Sequence, residues 1–312
     1  MIGRTPDTIR AYRPMKDGVI ADYRVTEAML RYFMKKALGK FNMWKPIVLV
    51  SVPAGVTSTE KRAVIEAAIK AGAKDAYVVK EPILAAIGAG IPIHEALGHM
   101  IVDVGGGTTD VAVISLGGIV ASTSVKCAGN KIDQAITDYI KKTFNLAIGD
   151  RTAEEVKIKI GAAVPLEDEL QVTIKGRDFV TGLPRSVEIK TNEIVKAISK
   201  DLREMIKAIK DVLQETPPEL SSDIIDQGII MTGGGAAIPE IEELARMSLK
   251  LPARIGTLGL GAKETVKDST WSVAFGLTIL GAGNEDTIEQ GISTKSANLL
   301  NKFFDWFKQF LP

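Results

Sequence analysis

Three consecutive glycines set between two apolar runs constrain this chain more tightly than any other feature. The segment Asp103-Val104-Gly105-Gly106-Gly107-Thr108-Thr109-Asp110 follows the strand-like run His99 to Val104 and opens a second one, Thr109 to Ser115. The triplet is therefore read as the tip of a β-hairpin. Glycines there can take φ > 0 and let backbone N–H groups approach an anion. An acid at the strand end is placed to hold Mg²⁺ through water while amides hold phosphate oxygens. Two common nucleotide signatures are excluded. There is no Gly-x4-Gly-Lys-Ser/Thr loop, and Asp110 stands where the dinucleotide fingerprint needs its third glycine.

The same word recurs in Ile229-Ile230-Met231-Thr232-Gly233-Gly234-Gly235-Ala236. Two strand–GGG units suggest a duplicated architecture with two similar halves facing one ligand. Either one alone is also compatible with a simple tight turn.

Around these units the first part of the chain alternates between strand and helix patterns. Ile47 to Val52 reads as a buried strand stopped by Pro53. A helix follows from Ser58 to Ala71, with Thr57 and Glu60 spaced as a capping box. Asp75 to Lys80 is a strand, Ile83 to Gly88 a short helix begun by Pro82, and Gly118 to Val125 another strand. Beyond it the pattern is mostly helical: Lys131 to Phe144, Thr152 to Ala162 and Asn192 to Gln214, interrupted by a hairpin of Leu170 to Ile174 and Arg185 to Ile189. A strand from Gly228 to Thr232 and a helix from Trp271 to Leu280 complete the body. This is an α/β chain with mixed sheets.

Composition bounds the function. The 312 residues suggest about two domains, and a net charge of +1 gives no overall bias toward nucleic acid. One cysteine, Cys127, excludes an intramolecular disulfide, and with two histidines it cannot assemble a usual structural zinc site. No signal peptide and no apolar run of roughly 18 residues is visible, so a cytosolic location is expected.

The motifs together resemble the MreB family within the actin, sugar-kinase and chaperone ATPase superfamily. Besides Asp103 to Asp110, the resemblance rests on Gly3-Arg4-Thr5-Pro6, on Arg13-Pro14-Met15-Lys16-Asp17-Gly18-Val19-Ile20-Ala21-Asp22 and on Glu81-Pro82 with Ala85 to Gly90. Thr152-Ala153-Glu154-Glu155 and Gly182-Leu183-Pro184 complete it, so that it runs from residue 3 to about 280. It implies an actin-like, ribonuclease H-like duplicated fold of two domains. Residues 1–127 and about 265–280 would form the first, and residues 128–264 the second. The family's opening Asp-x-Gly-Thr strand and first phosphate hairpin have no counterpart here, so the first domain is expected to be N-terminally truncated.

Carried over residue by residue, the resemblance makes Asp103 the acid behind the Mg²⁺ hydration shell and Glu81 the acid that orients the attacking water. Gly105, Gly106, Gly107 and Thr108 become the second phosphate loop. Glu154 and Lys157, which lie on one helical face and could pair, reach ribose and adenine. Gly233, Gly234, Gly235 and Ala236 form the adenosine loop, and Gly129 and Asn130 lie at the connection between halves. ATP/ADP and Mg²⁺ are the implied cofactors. ATP hydrolysis coupled to polymerisation is the implied activity, with the missing first loop arguing against full hydrolytic competence.

Two segments read as membrane-facing. Leu299, Leu300, Phe303, Phe304, Trp306, Phe307, Phe310 and Leu311 fall within an arc of about 160° on a helical wheel. Residues 297–312 are thus an amphipathic helix suited to a bilayer interface, joined by a polar linker at 281–296. The loop Gly39 to Pro46 adds Phe41, Met43 and Trp44 between lysines. The family implies homopolymeric filaments, peripheral at the inner face of the cell membrane, that act with cell-wall elongation proteins. Alternatives on the same superfold are a non-hydrolysing membrane scaffold and a small-molecule kinase or chaperone-like ATPase.

Overall fold

The structure, a computed structural model, describes residues 13–39, 45–259 and 268–289, together with positions 6, 8, 9 and 11. The chain opens with a hairpin of two-residue strands, β1 (Met15–Lys16) and β2 (Val19–Ile20). Its turn holds Asp17 at φ 51° and Gly18 at φ 77°, the geometry that matches strand twist in a two-residue loop. Helix α1 (Tyr23–Leu38) starts at Asp22, whose carboxylate accepts from the Val25 amide at 3.0 Å.

Strand β3 (Ile47–Val52) runs through α2 (Ser58–Ala71) to β4 (Asp75–Lys80), which pairs with it in parallel. The expected capping box is present. Glu60 N donates to Thr57 Oγ1 at 3.2 Å, and Thr57 N donates to Glu60 Oε2 at 2.9 Å. Helix α3 (Glu81–Gly88) begins at the residue immediately after β4 ends, so Glu81 heads the helix directly at the strand's end.

The central sheet follows. Strands β5 (His99–Val104), β6 (Thr109–Ser115) and β7 (Gly118–Val125) form an antiparallel meander. Helix α4 (Gly129–Phe144), the short strand β8 (Leu146–Ala147) and α5 (Asp150–Ile160) lead into a hairpin of β9 (Gln171–Asp178) and β10 (Pro184–Lys190). The long helix α6 (Thr191–Glu215) and α7 (Pro218–Gln227) return the chain to the sheet as β11 (Ile229–Thr232). Strand β11 pairs in parallel with β5. Helix α8 (Ile241–Leu249) and β12 (Ala253–Ile255) follow, and α9 (Ser272–Glu289) closes the described chain. The five-stranded order is β12-β11-β5-β6-β7, parallel on one side of β5 and antiparallel on the other.

Period-two alternation assigns each face of this sheet to its own core. Met100, Val102, Val104, Val111, Val113, Ile229 and Met231 face Ile132, Ile136 and Ile140 of α4 and the apolar row of α6. Ile101, Ala112, Ile114 and Ile230 face the opposite way, onto Ala85 and Ala86 of α3. Helix coverage on both faces explains why all six residues of β5 are buried. On the second face α3 and α9 cross so closely that a Cβ on Gly276 would lie 2.0 Å from the Leu84 carbonyl oxygen. The helix carrying Glu81 is thereby clamped from behind.

Two expectations are corrected. The strand–GGG units do not belong to separate halves: β5 and β11 are neighbours in one sheet, because their apolar runs alternate in phase and share both cores. The stretch from Gly281 is not linker throughout, since α9 continues to Glu289. Extending a nucleated helix is easier than starting one, and each glycine costs only about 1 kcal/mol against alanine. The aromatic loop Phe41, Met43 and Trp44 and the terminal helix with Leu300, Phe303, Phe304, Trp306, Phe307 and Phe310 lie outside the described residues. Among the described residues no helix is long and apolar enough to cross a membrane.

Candidate functional site

The in-register parallel pairing of β5 with β11 sets the geometry of the site. Asp103 lies opposite Thr232, so both glycine turns emerge side by side at one end of the sheet. Thr232 Oγ1 donates to Asp103 Oδ1 at 2.8 Å, and both residues are buried. At Gly233, φ is 85°, and a Cβ there would lie 2.4 Å from the Val104 carbonyl oxygen and 2.9 Å from Asp103 Oδ1. The second turn is folded down onto the end of β5.

The first turn is built differently. Gly105 N donates to Thr108 O at 2.9 Å, closing the hairpin, and none of its three glycines has a positive φ. The left-handed conformation expected there is absent because a four-residue tip closed by this bond needs none. Close approach is the reason for glycine instead. A Cβ on Gly107 would lie 3.0 Å from Asp17 Cα and 3.1 Å from Gly18 N, in the β1–β2 turn. The N-terminus of α4 is stitched to the same tip, since Gly129 N donates to Gly105 O at 3.1 Å and Asn130 N to Gly106 O at 2.8 Å. A Cβ on Gly106 would meet only the Asn130 side chain, at 3.8 Å, in ordinary van der Waals contact.

Three carboxylates converge below these turns. In the hairpin register Asp103 faces Asp110, and Asp110 Oδ1 accepts from the Ala54 amide at 2.6 Å, in the turn that follows β3. Glu81 arrives from the head of α3, and its Oε1 accepts from Ser51 Oγ at 3.3 Å. Burial lifts the Glu81 carboxyl to about 7, helped by the charges of Asp110 and Asp103. Burial likewise lifts Asp103 to about 6, with Asp110 adding to it and the Thr232 hydrogen bond opposing it. Asp110 is pushed upward by burial against its bond from Ala54. Acids that raise one another in this way form a site that a cation would relieve, so the residues fit a divalent metal beside an anion.

The structure brings together Glu81, Asp103, Gly105, Gly106, Gly107, Thr108, Gly129, Asn130, Lys157, Gly233, Gly234 and Gly235. Beside the second turn lies an open cavity of about 360 Å³ lined by Ala236, Ile238, Ile255, Thr257, Asp268 and Ser269 among others. The Glu154–Lys157 pair is corrected. Lys157 Nζ lies 2.8 Å from Asp133 Oδ1 and donates to Gly129 O at 3.2 Å, while Glu154 is exposed. Lys157 points inward toward α4, where burial makes an ion pair worth more than on the open helix face.

Sequence reasoning missed Asp110, Thr232, Asp133 and the Asp17–Gly18 turn. Asp110 was legible, because acids placed symmetrically about a hairpin tip must face each other across it. Thr232 and Asp133 depend on a strand pairing and a helix contact that no local pattern encodes.

A mixed sheet in this order, with helices on both faces and two glycine turns beside a carboxylate cluster, is the architecture of the actin-like proteins. The chain belongs to the MreB/Mbl family, whose model, described as MreB/Mbl protein, matches residues 1–267. It is 49% identical over 255 residues to the cell shape-determining protein Mbl of Bacillus subtilis, covering 82% of this chain and 77% of that one. Among solved structures it is similar to MreB5 of Spiroplasma citri, determined bound to ADP and to AMPPNP. The TM-score is 0.83 at 38% identity, covering 93% of this chain and 84% of the other. The MamK double helical filament shares the fold, with TM-score 0.72 at 22% identity over 87% of this chain and 80% of that one.

Proposed function

We propose that this protein binds ATP and ADP with Mg²⁺ at the paired glycine turns and assembles head to tail into filaments. These lie in the cytoplasm, peripheral to the inner face of the cell membrane, and organise cell-wall synthesis and cell shape. The observation that carries the nucleotide reading is the convergence of Glu81, from the head of α3, with Asp103 and Asp110, from the two strands of the β5–β6 hairpin, beside two backbone turns. One relative, MreB5 of Spiroplasma citri, determined with ADP and with AMPPNP, supports it.

In this reading Asp103 would hold a magnesium ion through its bound water, and the metal would supply neutralisation of phosphate charge. Amides of Gly106 to Thr108 and the open face of Gly106 receive phosphate oxygens, and the cavity beside Ala236 receives the nucleoside. Glu81, whose carboxyl burial raises to about 7, orients the attacking water and in its ionised form accepts the proton. Positioning and electrostatics of this kind are most of what phosphoryl transfer asks of a protein.

Support for the membrane is of a second kind. Helix α1 ends with exposed Tyr32, Phe33 and Leu38 beside Lys35 and Lys36, an apolar and basic surface leading directly into the aromatic loop. The test combines sedimentation with ATP, with ADP and without nucleotide, alongside phosphate release and liposome co-sedimentation. Pelleting that depends on nucleotide, with a Glu81→Gln variant that binds ATP but releases phosphate at least tenfold more slowly, is the expected outcome. Pelleting indifferent to nucleotide would sink the nucleotide-driven polymer. Equal liposome pelleting by a Phe303→Glu, Phe307→Glu variant would remove the terminal helix from the membrane.

A further inference from the structure

We propose that Thr232 is the positioning residue of the magnesium site, fixing the Asp103 carboxylate through its hydroxyl and joining that carboxylate to the turn that receives the nucleoside. This rests on the nucleotide reading above and names a part of the site which that reading leaves open. Three observations meet here. Thr232 and Asp103 are register partners at the ends of two parallel strands. The hydroxyl donates to Asp103 Oδ1 at 2.8 Å, with Thr232 fully buried and Asp103 almost so. The residue after Thr232 is Gly233, whose left-handed φ of 85° sets the second turn against the same oxygen.

The chemistry is that of an outer residue holding a ligand. A carboxylate has two oxygens and a free torsion about its last bond. A donor fixed on a neighbouring central strand engages one oxygen and removes that freedom. The other oxygen is then presented in one direction, which lowers the ordering cost of binding a cation or its water. A strand position is also stiffer than a loop position, and Thr232 is held in the ladder to β5, opposite Asp103 itself. Thr232 is therefore built to orient, and its β-branched side chain, restricted at χ1, suits the task. Because Thr232 immediately precedes Gly233, the hydroxyl that fixes Asp103 stands at the root of the nucleoside turn. Nucleoside binding and metal binding are thus joined by one side chain.

The test uses the full chain and a fluorescent ATP analogue titrated in EDTA and at graded Mg²⁺, comparing wild type with Thr232→Val, Thr232→Ala and Thr232→Ser. Far-UV circular dichroism and melting identify any variant that does not fold. The expected result is that Thr232→Val and Thr232→Ala need at least tenfold more Mg²⁺ for half-maximal tightening. Their nucleotide affinity in EDTA stays within about twofold of wild type, and Thr232→Ser restores the wild-type Mg²⁺ requirement. Loss of second-layer hydrogen bonds to metal ligands commonly costs roughly 10- to 100-fold in metal affinity. An unchanged Mg²⁺ requirement in the folded variants overturns the proposal, and so does an equal loss in EDTA and in Mg²⁺, which would mark a purely structural residue. Wild-type protein that binds no nucleotide, or binds it without regard to Mg²⁺, overturns the nucleotide reading itself and is recognised before any variant is measured.

Discussion

The two glycine turns carry the same three letters and solve different problems. The 233–235 turn needs glycine for its backbone: φ at Gly233 is positive, and the chain folds back onto Val104 and Asp103. The 105–107 turn has ordinary torsions and needs glycine because a second segment, the Asp17–Gly18 turn, is laid against it. One turn is constrained from within and the other from outside. A run of glycines therefore fixes where a chain bends without saying what forces the bend.

The difference predicts a hierarchy of effects. Gly233→Ala should be the most damaging change. It adds the left-handed penalty of about 1–2 kcal/mol to a Cβ 2.4 Å from a carbonyl oxygen that belongs to a central strand and cannot retreat. A total loss on the order of 3–5 kcal/mol is expected from the midpoint of denaturant unfolding. A loss below about 1 kcal/mol would show that the second turn is not bound by its own torsions.

Gly107→Ala should cost less, about 1–2 kcal/mol, because its neighbour is a two-residue hairpin that can move outward by a few tenths of an ångström. Proteolysis near residues 15–20 should accelerate in this variant and not in Gly233→Ala.

The opposite end of β5 supplies a pH-sensitive control. Burial holds the His99 imidazole below its ordinary range, against the opposing charges of Glu95 and Asp223, and its Nε2 has no hydrogen-bond partner. The unfolded chain therefore binds a proton before the folded one does. The contribution of His99 is fully present above the unfolded value near 6.5 and is lost as pH falls toward the folded value, while the raised Glu81 and Asp103 carboxyls act with the opposite sign over the same range. The share of the slope that disappears in His99→Asn should not exceed about 1.4 kcal/mol per pH unit, read as the difference in melting temperature between wild type and variant from pH 7.5 to 5.5.

The smallest effect on stability belongs to Gly106→Ala. The nearest atoms to its Cβ are those of the Asn130 side chain at 3.8 Å, so stability should change by less than about 0.5 kcal/mol. Nucleotide affinity should nonetheless fall at least tenfold by fluorescence titration. An unaltered affinity would show that this open face receives no phosphate.

Much of this was legible in the residues. The strands of the meander, the capped helix after Thr57 and the long α6 followed from alternation, capping and apolar spacing. Helix α1 was not read, because Arg31, Tyr32, Phe33, Lys35 and Lys36 are all exposed and blur the apolar stripe that marks a packed helix. Adjacency was equally out of reach. Nothing local in Ile229 to Thr232 says that its partner is β5, a strand more than a hundred residues earlier, nor does Lys157 announce Asp133 instead of Glu154. The candidate site was therefore visible as a set of residues before it was visible as an arrangement.

The chain's single thiol sits just behind this arrangement. Cys127 is fully buried, its carbonyl oxygen accepts from Thr109 Oγ1 at 2.6 Å, and its Sγ donates to the Asp201 carbonyl oxygen at 3.3 Å. Burial pushes the thiol up to about 12, so in the folded state it is neither ionised nor reachable. Alkylating reagents should be blind to native molecules and modify those that have opened the layer between β7 and α6. The protein thus carries its own chemical clock: the rate at which one iodoacetamide mass appears counts how often the wall behind the glycine-tipped hairpin comes apart.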